Sequence, residues 1–475
     1  MKAWWTLLAA YACYHVVLSV GDPPGISTID MVARMPPDID WSSFVEKLPA
    51  LGRVPVVSVP CTGILSSSHA WQSMHQTASY VNIFDLERRY RSCLTEALQR
   101  AGMTVQDIEL NLRLGKTSGD LLMVPLNAMQ RKCDFLIAGP PCPPWAGSGN
   151  RKGTKDARAK VFVRIMQWVH FMVAAGGLLV VILENVSGMM HSHDGREAPI
   201  TQFLNALREY IPSFVWGVDQ LALQNYMCPQ KRVRVFLRGV RRSICETLPP
   251  ILPAFGKRTL LDILGKYPNT TRASMRPTIQ ENVLDYEKTI RDMVSKGTLD
   301  LKDVVVVAAD RAAGKAWNQA VQVNAAPTLT TNNFYLLVLS VSCVVESIAD
   351  ESRKYFRWLT GPERLALQSL PSSLFFELGG DLAVKAAGNA YPPVLIMAAT
   401  HGILKALSNF DLKAWPPEHE LAVSNHNEQS MKLFTTALMR PGPKTARGKA
   451  QARAKAKAQA RVSGAKRRSH SSDTD

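Results

Sequence analysis

Residues 133–153 read CDFLIAGPPCPPWAGSGNRKG, and this stretch decides the fold. Phe135, Leu136, Ile137 and Ala138 form a continuous apolar run, the pattern of a strand buried on both faces of a parallel sheet. Gly139, Pro140 and Pro141 stop that strand, because proline lacks the ladder donor and fixes its own φ. Cys142 therefore falls just past the carboxyl end of a strand, where open α/β sheets place their ligands. A thiol on a rigid turn beside Arg151 and Lys152 is set to be held partly as thiolate, the nucleophilic form. The competing reading is a small buried cysteine in an ordinary βα turn, since free cysteine is among the most buried residue types. The stretch alone leaves both open.

The same rhythm extends on either side. A first strand is expected at 54–59, ending in the turn Pro60-Cys61-Thr62-Gly63, with a helix over 66–78. A second strand at 80–84 ends at Asp85, Leu86 and Glu87; Tyr90, Leu94, Ala97 and Leu98 then recur at helical spacing up to Gly102. Gly119-Asp120-Leu121 lead towards the central strand. Beyond it, Val161, Phe162, Ile165, Met166, Val169 and Val173 mark a helix closed by Gly176-Gly177. An apolar strand at 178–183 is ended by Glu184 and Asn185; a helix at 199–210 and a strand at 214–221 follow, and QKRVR at 230–234 leads into apolar 235–237. Alternation at this spacing predicts an α/β protein with a Rossmann-like, doubly wound parallel sheet.

From about residue 241 the rhythm is lost. Residues 241–355 carry isolated β runs at 304–308 and 336–345 among polar turns, including TLTTNN at 328–333, and read as a smaller irregular domain. Helical spacing returns at 361–368, and GNAYPP at 388–393 opens a helix that runs to Leu407. The expected division is an apolar segment at 1–21, a linker at 22–52, a core at 53–240, the irregular domain at 241–355, helices returning to the core at 356–415, and a linker with a basic tail at 416–475.

The chain has 475 residues, 46% of them apolar and 8% aromatic, which describes a globular protein with a large core. Its net charge of +17 is largely local: eleven Lys/Arg and no acid lie between Arg440 and Arg468. A basic balance suits nucleic acid or an anionic surface and by itself identifies neither. Eight scattered cysteines, with no CxxC pair, argue against a structural zinc site and read as reduced intracellular thiols. The amino terminus points elsewhere. Lys2 precedes an uncharged, mostly apolar run at 3–20, and Ser19-Val20-Gly21 has the form of a cleavage site. A secretory signal or anchor, a misplaced start and a docked helix all remain open.

Cys142, Glu184 and QKRVR fall one to each βα unit. A nucleophile, an acid and guanidinium donors make a working set for addition to an electron-poor ring. In that order they resemble the cytosine-5 DNA methyltransferases. The family's proline-cysteine loop matches GPPCPPWAGSG at 139–149, its Glu-Asn-Val motif ENV at 184–186, and its Gln-x-Arg-x-Arg motif YMCPQKRVR at 226–234. Its Arg-x-Leu-Thr segment matches RWLTGPERLALQSLP at 357–371, and its closing Gly-Asn-x-x-Pro-Pro matches GNAYPP. The five run in the family's order across residues 53–410.

The resemblance implies methyl transfer from S-adenosylmethionine to carbon 5 of a cytosine flipped out of DNA, with no metal and a monomeric enzyme. It assigns Cys142 as the nucleophile on carbon 6 and Glu184 as the group that stabilises a proton on the ring nitrogen. Arg232 is expected to hold the base and its carbonyl, and Arg234 to support the Cys142 loop. Asp85, with Leu86, is expected at the cofactor ribose, and Asp120 with Leu121 near the adenine; Gly63, Pro141 and Asn389 complete that side. Pro140, Ser148, Asn185, Val186 and Gln230 are expected to shape the loop and substrate side. Residues 241–355 fall where the family keeps its target-recognition domain. The chain departs from the pattern at VPCTG, 59–63, where Cys61 replaces a glycine at a close backbone approach; this predicts weakened cofactor binding. Pro143, Ala146 and Ala390 are smaller departures. RNA is the alternative substrate, although the Cys-Phe-Thr signature of the RNA-modifying branch is missing; a non-catalytic nucleic-acid-binding relative is the other alternative. DNA chemistry and a basic tail predict a nuclear enzyme, against the secretory or organellar route that the apolar amino terminus implies.

Overall fold

The computed structural model describes residues 34–128, 133–146, 156–192, 196–265, 275–310, 321–331, 335–346, 356–415 and 428–440. Ser148, Arg151, Lys152, the apolar segment at 1–21 and the basic tail at 441–475 lie outside the described residues, so the expectations built on them rest on sequence alone.

The large unit is built from β1 (Val56–Pro60), α1 (Ser66–Ser73), β2 (Ser79–Asp85), α2 (Arg91–Arg100), α3 (Val105–Asn111), β3 (Leu112–Leu114), β4 (Phe135–Ala138), α4 (Ala159–Ala174), β5 (Val180–Val186), α5 (Pro199–Tyr210), β6 (Phe214–Ala222) and β7 (Val233–Arg241). Its seven strands stand in the order β3-β2-β1-β4-β5-β7-β6. β3, β2, β1, β4 and β5 pair parallel, whereas β7 runs antiparallel to both β5 and β6. The sheet is therefore mixed, not parallel throughout. The link from Ala222 to Val233 is too short for a helical crossover, so it can only return the chain antiparallel. β4 is buried along its whole length because both faces are covered: one apolar cluster includes Phe135 and Ile137, the other Leu136 and Ala138. Strand order reverses between β1 and β4, which opens the sheet's carboxyl edge at that point.

Several boundaries move. The helix expected to reach residue 78 stops at Ser73, and His75 turns the chain with φ 54°. Glu184 and Asn185 lie inside β5 and do not terminate it. β7 is nine residues long, three times the apolar run that signalled it. Its arginines hid it: Arg234 and Arg238 are buried, and Arg238 Nε meets Asp219 at 2.6 Å.

The smaller unit contains α6 (Pro277–Ser295), β8 (Val304–Ala308), β9 (Gln322–Val323), β10 (Leu336–Ser340), α7 (Val341–Glu346) and β11 (Phe356–Trp358). Its strands form an antiparallel sheet in the order β11-β10-β8-β9. α6 packs Ile279, Val283, Tyr286 and Ile290 into the apolar cluster that holds Val305, Val307, Leu337 and Leu339. The β run expected over 336–345 ends at Ser340, because its partner β8 begins at the paired Val304; the chain then coils into α7.

The return to the core comprises α8 (Gly361–Ala366), α9 (Leu374–Leu378), α10 (Gly380–Asn389) and α11 (Pro393–Leu407). A reciprocal capping box between Thr360 and Glu363 starts α8, and the fully buried Glu363 also pairs with Arg357 of β11 at 2.7 Å. The stretch read as linker and tail holds one more helix, α12 (Glu428–Met439). It buries Met431, Phe434 and Leu438 beside α4 and α5, with Phe434 stacked on His170 at 5.1 Å. Among the described residues no helix is long and apolar enough to cross a membrane.

Candidate active site

Cys142 sits on a tight turn just past β4, where Trp145 and Ala146 both donate their N–H to its carbonyl at 3.0 Å. β5 and the turn that follows it brace this loop twice. Asn185, buried, donates its Nδ2 to Pro140 O at 3.3 Å. Gly188 lets the chain pass so close that a Cβ there would lie 1.9 Å from Trp145 O. The two halves of ENV are thus divided by strand alternation. Asn185 grips the loop, while Glu184 and Val186 lie on the other face.

β7 supplies the cation. Val186 pairs with Arg234 and Glu184 with Phe236, so Glu184 and Arg234 are diagonal neighbours on one face of the sheet. Glu184 Oε1 stands 2.7 Å from Arg234 Nε, with both side chains about nine-tenths buried. That contact lacks hydrogen-bond alignment, and Oε1 has no hydrogen-bond partner among the described residues. A buried carboxylate oxygen with unused acceptor capacity is the kind of group a substrate satisfies. Burial pushes the Cys142 thiol above its ordinary value of 9.0; Arg234 pulls it back, Glu184 raises it and Arg232 lowers it. These three charges come from the ENV and QKRVR motifs, and Arg158, ahead of α4, also interacts with the thiol.

Arg232 is buried, and its terminal nitrogens are engaged by backbone. Nη1 donates to Leu329 O at 3.0 Å and Gly388 O at 3.3 Å, and Nη2 to Gly388 O at 3.4 Å and Ala390 O at 2.6 Å. Burial pushes its guanidinium down to about 9, with Arg234 adding to the fall while Glu184 and Cys142 oppose it. Its Nε, also buried, has no hydrogen-bond partner among the described residues. In this geometry Arg232 joins GNAYPP and the TLTTNN segment to the start of β7. The same junction is tight elsewhere: a Cβ on Gly388 would lie 2.4 Å from the carbonyl carbon of Thr330. Gln230 is fully buried, with its amide bonded to Leu367 O and to the Gln368 side chain at 3.2 and 3.1 Å.

A second cluster forms around the β1 and β2 ends. Asp85 accepts from Gly63 N at 2.8 Å and Glu87 N at 2.9 Å, and burial pushes its carboxyl up to about 6. Burial also raises the Cys61 thiol, with Asp85 and Asp120 raising it further, so these three groups share one locality. Cys61 and Gly63 both adopt positive φ, 56° and 54°. Asp120 accepts from Leu122 N at 3.0 Å, Leu121 is buried and Leu86 is exposed. Asn389 is exposed beside Tyr90: burial and Asp85 raise the Tyr90 hydroxyl, and a hydrogen bond to Asn389 lowers it. Pro141 is half-buried on the Cys142 loop.

Sequence reasoning missed the hydroxyls behind this cluster. Thr62 Oγ1, Ser66 Oγ and Ser67 Oγ are buried at the start of α1 without hydrogen-bond partners among the described residues. The SSS run at 66–68, just after the glycine turn, was the available signal. No group of three or more His, Cys, Asp or Glu able to hold a metal occurs among the described residues.

Fold and site define an α/β protein in which a cysteine, a carboxylate and a guanidinium come together at the carboxyl edge of a mixed sheet. Residues 110–405 match the family described as C-5 cytosine-specific DNA methylase, and the chain belongs to that family. It is similar to the type II methyltransferase M.HpaII of Haemophilus parainfluenzae, 29% identical over 126 residues, which are 26% of this chain and 34% of that protein. It is 25% identical over 284 residues to the type II methyltransferase M.AplI of Arthrospira platensis, across 58% of this chain and 70% of that protein. Among solved structures it resembles a Spodoptera frugiperda DNMT2 mutant (15% identity, TM-score 0.48, 75% of this chain and 99% of the other). It also resembles the S. pombe Dnmt2 methyltransferase (13% identity, TM-score 0.46, 75% and 100%). The family's methyl donor is S-adenosylmethionine.

Proposed function

We propose that this chain is a DNA (cytosine-5-)-methyltransferase that works through a covalent adduct on Cys142. The observation that carries the reading is the meeting of Cys142 with the Glu184–Arg234 pair, three groups carried by the turn after β4, the body of β5 and the start of β7. The residues around the β1 turn fit S-adenosylmethionine. Buried hydroxyls without partners line the start of α1, and Asp85 holds an acid at the end of β2. When bound, the cofactor supplies an activated methyl group.

The chain's own groups do the rest. Cys142, as thiolate, adds to carbon 6 of the base and pushes electron density to carbon 5. Glu184, buried beside Arg234, stabilises a proton that the ring nitrogen takes up from solvent, drawing charge out of the ring. Arg234 keeps that carboxylate in place and lowers the thiol. After methyl transfer, loss of the carbon 5 proton expels the Cys142 thiolate and restores the double bond. Because burial favours the neutral thiol, the resting enzyme holds Cys142 mainly protonated at neutral pH, which limits its oxidation before substrate arrives. The base must leave the stack to present its face to Cys142. The test is methyl transfer from labelled cofactor to DNA and to RNA by the full chain. Label in DNA cytosine supports the proposal; label in RNA alone replaces the substrate class; none in either favours a non-catalytic relative.

A further inference from the structure

The direction of α12 is fixed by partners along its whole length. Near its start, Ser430 Oγ lies 3.2 Å from His170 Nε2, late in α4. That end of α4 stands at the amino edge of the sheet, where Met172 Sδ is 3.6 Å from Cys133 Sγ, just ahead of β4. Midway, Thr435 accepts from Gln167 at 2.9 Å, and Phe434 packs against His170 and Tyr210 with ring centroids 5.1 and 5.6 Å away. At the close, Gln202 donates its amide to Leu438 O at 3.0 Å and to Arg440 O. Gln202 lies in the first turn of α5, at the carboxyl edge. Its neighbour Phe203 meets Trp145 at 6.1 Å, and Trp145 donates its N–H to the Cys142 carbonyl. α12 therefore crosses α4 and α5 from the amino edge to the carboxyl edge. It fixes Arg440 on the edge where Cys142, Glu184 and Arg234 gather.

We propose that α12 is an anchor that delivers the basic run beyond it to the catalytic edge, where its cations grip duplex phosphates beside the target base. This rests on the methyltransferase reading and adds to it a second contact with the substrate. The run from Arg440 to Arg468 has eleven Lys/Arg, no acid and no aromatic side chain to stack on bases. Such a run neutralises phosphates without reading sequence. A base that leaves the stack to reach Cys142 needs its flanking duplex held meanwhile. Cations fixed beside that duplex act at high local concentration, whereas cations rooted at the amino edge would first have to span the sheet.

Anisotropy of a mixed-sequence DNA duplex across a range of salt tests this without turnover. Three proteins are compared: the full chain, the chain ending at Arg440, and a full chain with about 25 Gly/Ser residues inserted after Arg440. Both variants leave α12 and its contacts untouched. Truncation removes every cation of the run but Arg440, ten in all. With about half of them on phosphates at about 0.9 each, the slope of log K against log salt should become shallower by about 4. The insertion lengthens the tether from Arg440 to Ala454, midway along the run, from about 14 residues to about 39, and local concentration falls as about the −3/2 power of length. The inserted chain should therefore keep the full slope and bind about fivefold more weakly. An unchanged slope on truncation would overturn the proposal, and so would inserted chain that binds as tightly as the original or more tightly, the mark of a run rooted far from the duplex. Methyl transfer by the same proteins separates this from the reading beneath it: truncation should raise KM for DNA and leave kcat unchanged. A full chain that methylates neither DNA nor RNA would overturn the methyltransferase reading, while the slopes still decide whether the run grips duplex.

Discussion

Replacing Arg232 with methionine keeps most of the side-chain volume and deletes the clamp. Three backbone carbonyls, at Leu329, Gly388 and Ala390, would lose a charged donor in a site where Arg232 is 3% exposed. Each buried acceptor left unmet costs about 1–3 kcal/mol. The three are neighbours, so their costs do not simply add, and relief from burying a guanidinium offsets part of the loss. The net expectation is about 3 kcal/mol of lost stability, against less than about 0.5 kcal/mol for the exposed Arg242→Met. Urea unfolding followed by tryptophan fluorescence measures both. Hydrogen exchange should show the extra opening concentrated at 327–331 and 386–393, the two segments the guanidinium ties together. A loss below about 1 kcal/mol for Arg232→Met, or one spread evenly over the chain, would refute the clamp.

Three further outcomes follow from the same geometry. The Cys142 thiol is raised, so its thiolate is scarce at neutral pH and gained as pH rises; alkylation of Cys142 should climb steadily through pH 9.0, with Arg234→Met moving the midpoint up and Glu184→Gln moving it down. A midpoint below 9.0 in the wild type would contradict this. Cys61 puts a side chain where the family pattern has glycine at a close backbone approach, so Cys61→Gly should bind cofactor more tightly in calorimetry, a factor of five being about 1 kcal/mol; tighter binding by the wild type would show that the side chain is useful there. Phe434→Ala should cost about 3 kcal/mol and speed exchange across 428–439 while leaving cofactor affinity unchanged; protection that persists there would mean α12 is held by other contacts.

What the sequence made legible was set by where the signal resides. The central strand and its cysteine turn were readable because an apolar run closed by two prolines has few alternatives. Glu184 was placed at a strand end when it lies within the strand, since a charged residue normally marks exposure and this one is buried against Arg234. β7 was cut to its apolar third for the same reason: Arg234 and Arg238 are satisfied by acids from neighbouring strands. α6 carried a readable 3.6-residue pattern in Ile279, Val283, Tyr286 and Ile290, lost among the polar turns around it. Arg232's clamp was beyond reach. Its partners are backbone carbonyls 97 to 158 residues away, and a carbonyl leaves no mark in the sequence.

The central claim is that Cys142 becomes covalently joined to a cytosine during methyl transfer. DNA carrying 5-fluorocytosine tests it most directly, because fluorine occupies the place of the proton whose loss would free the enzyme. Incubated with S-adenosylmethionine, the wild-type chain should form a denaturation-resistant complex with such DNA, its mass equal to chain plus oligonucleotide plus methyl group, and Cys142→Ser should form none. A complex that persists in Cys142→Ser, or its absence in a wild-type chain that methylates ordinary DNA, would contradict the account.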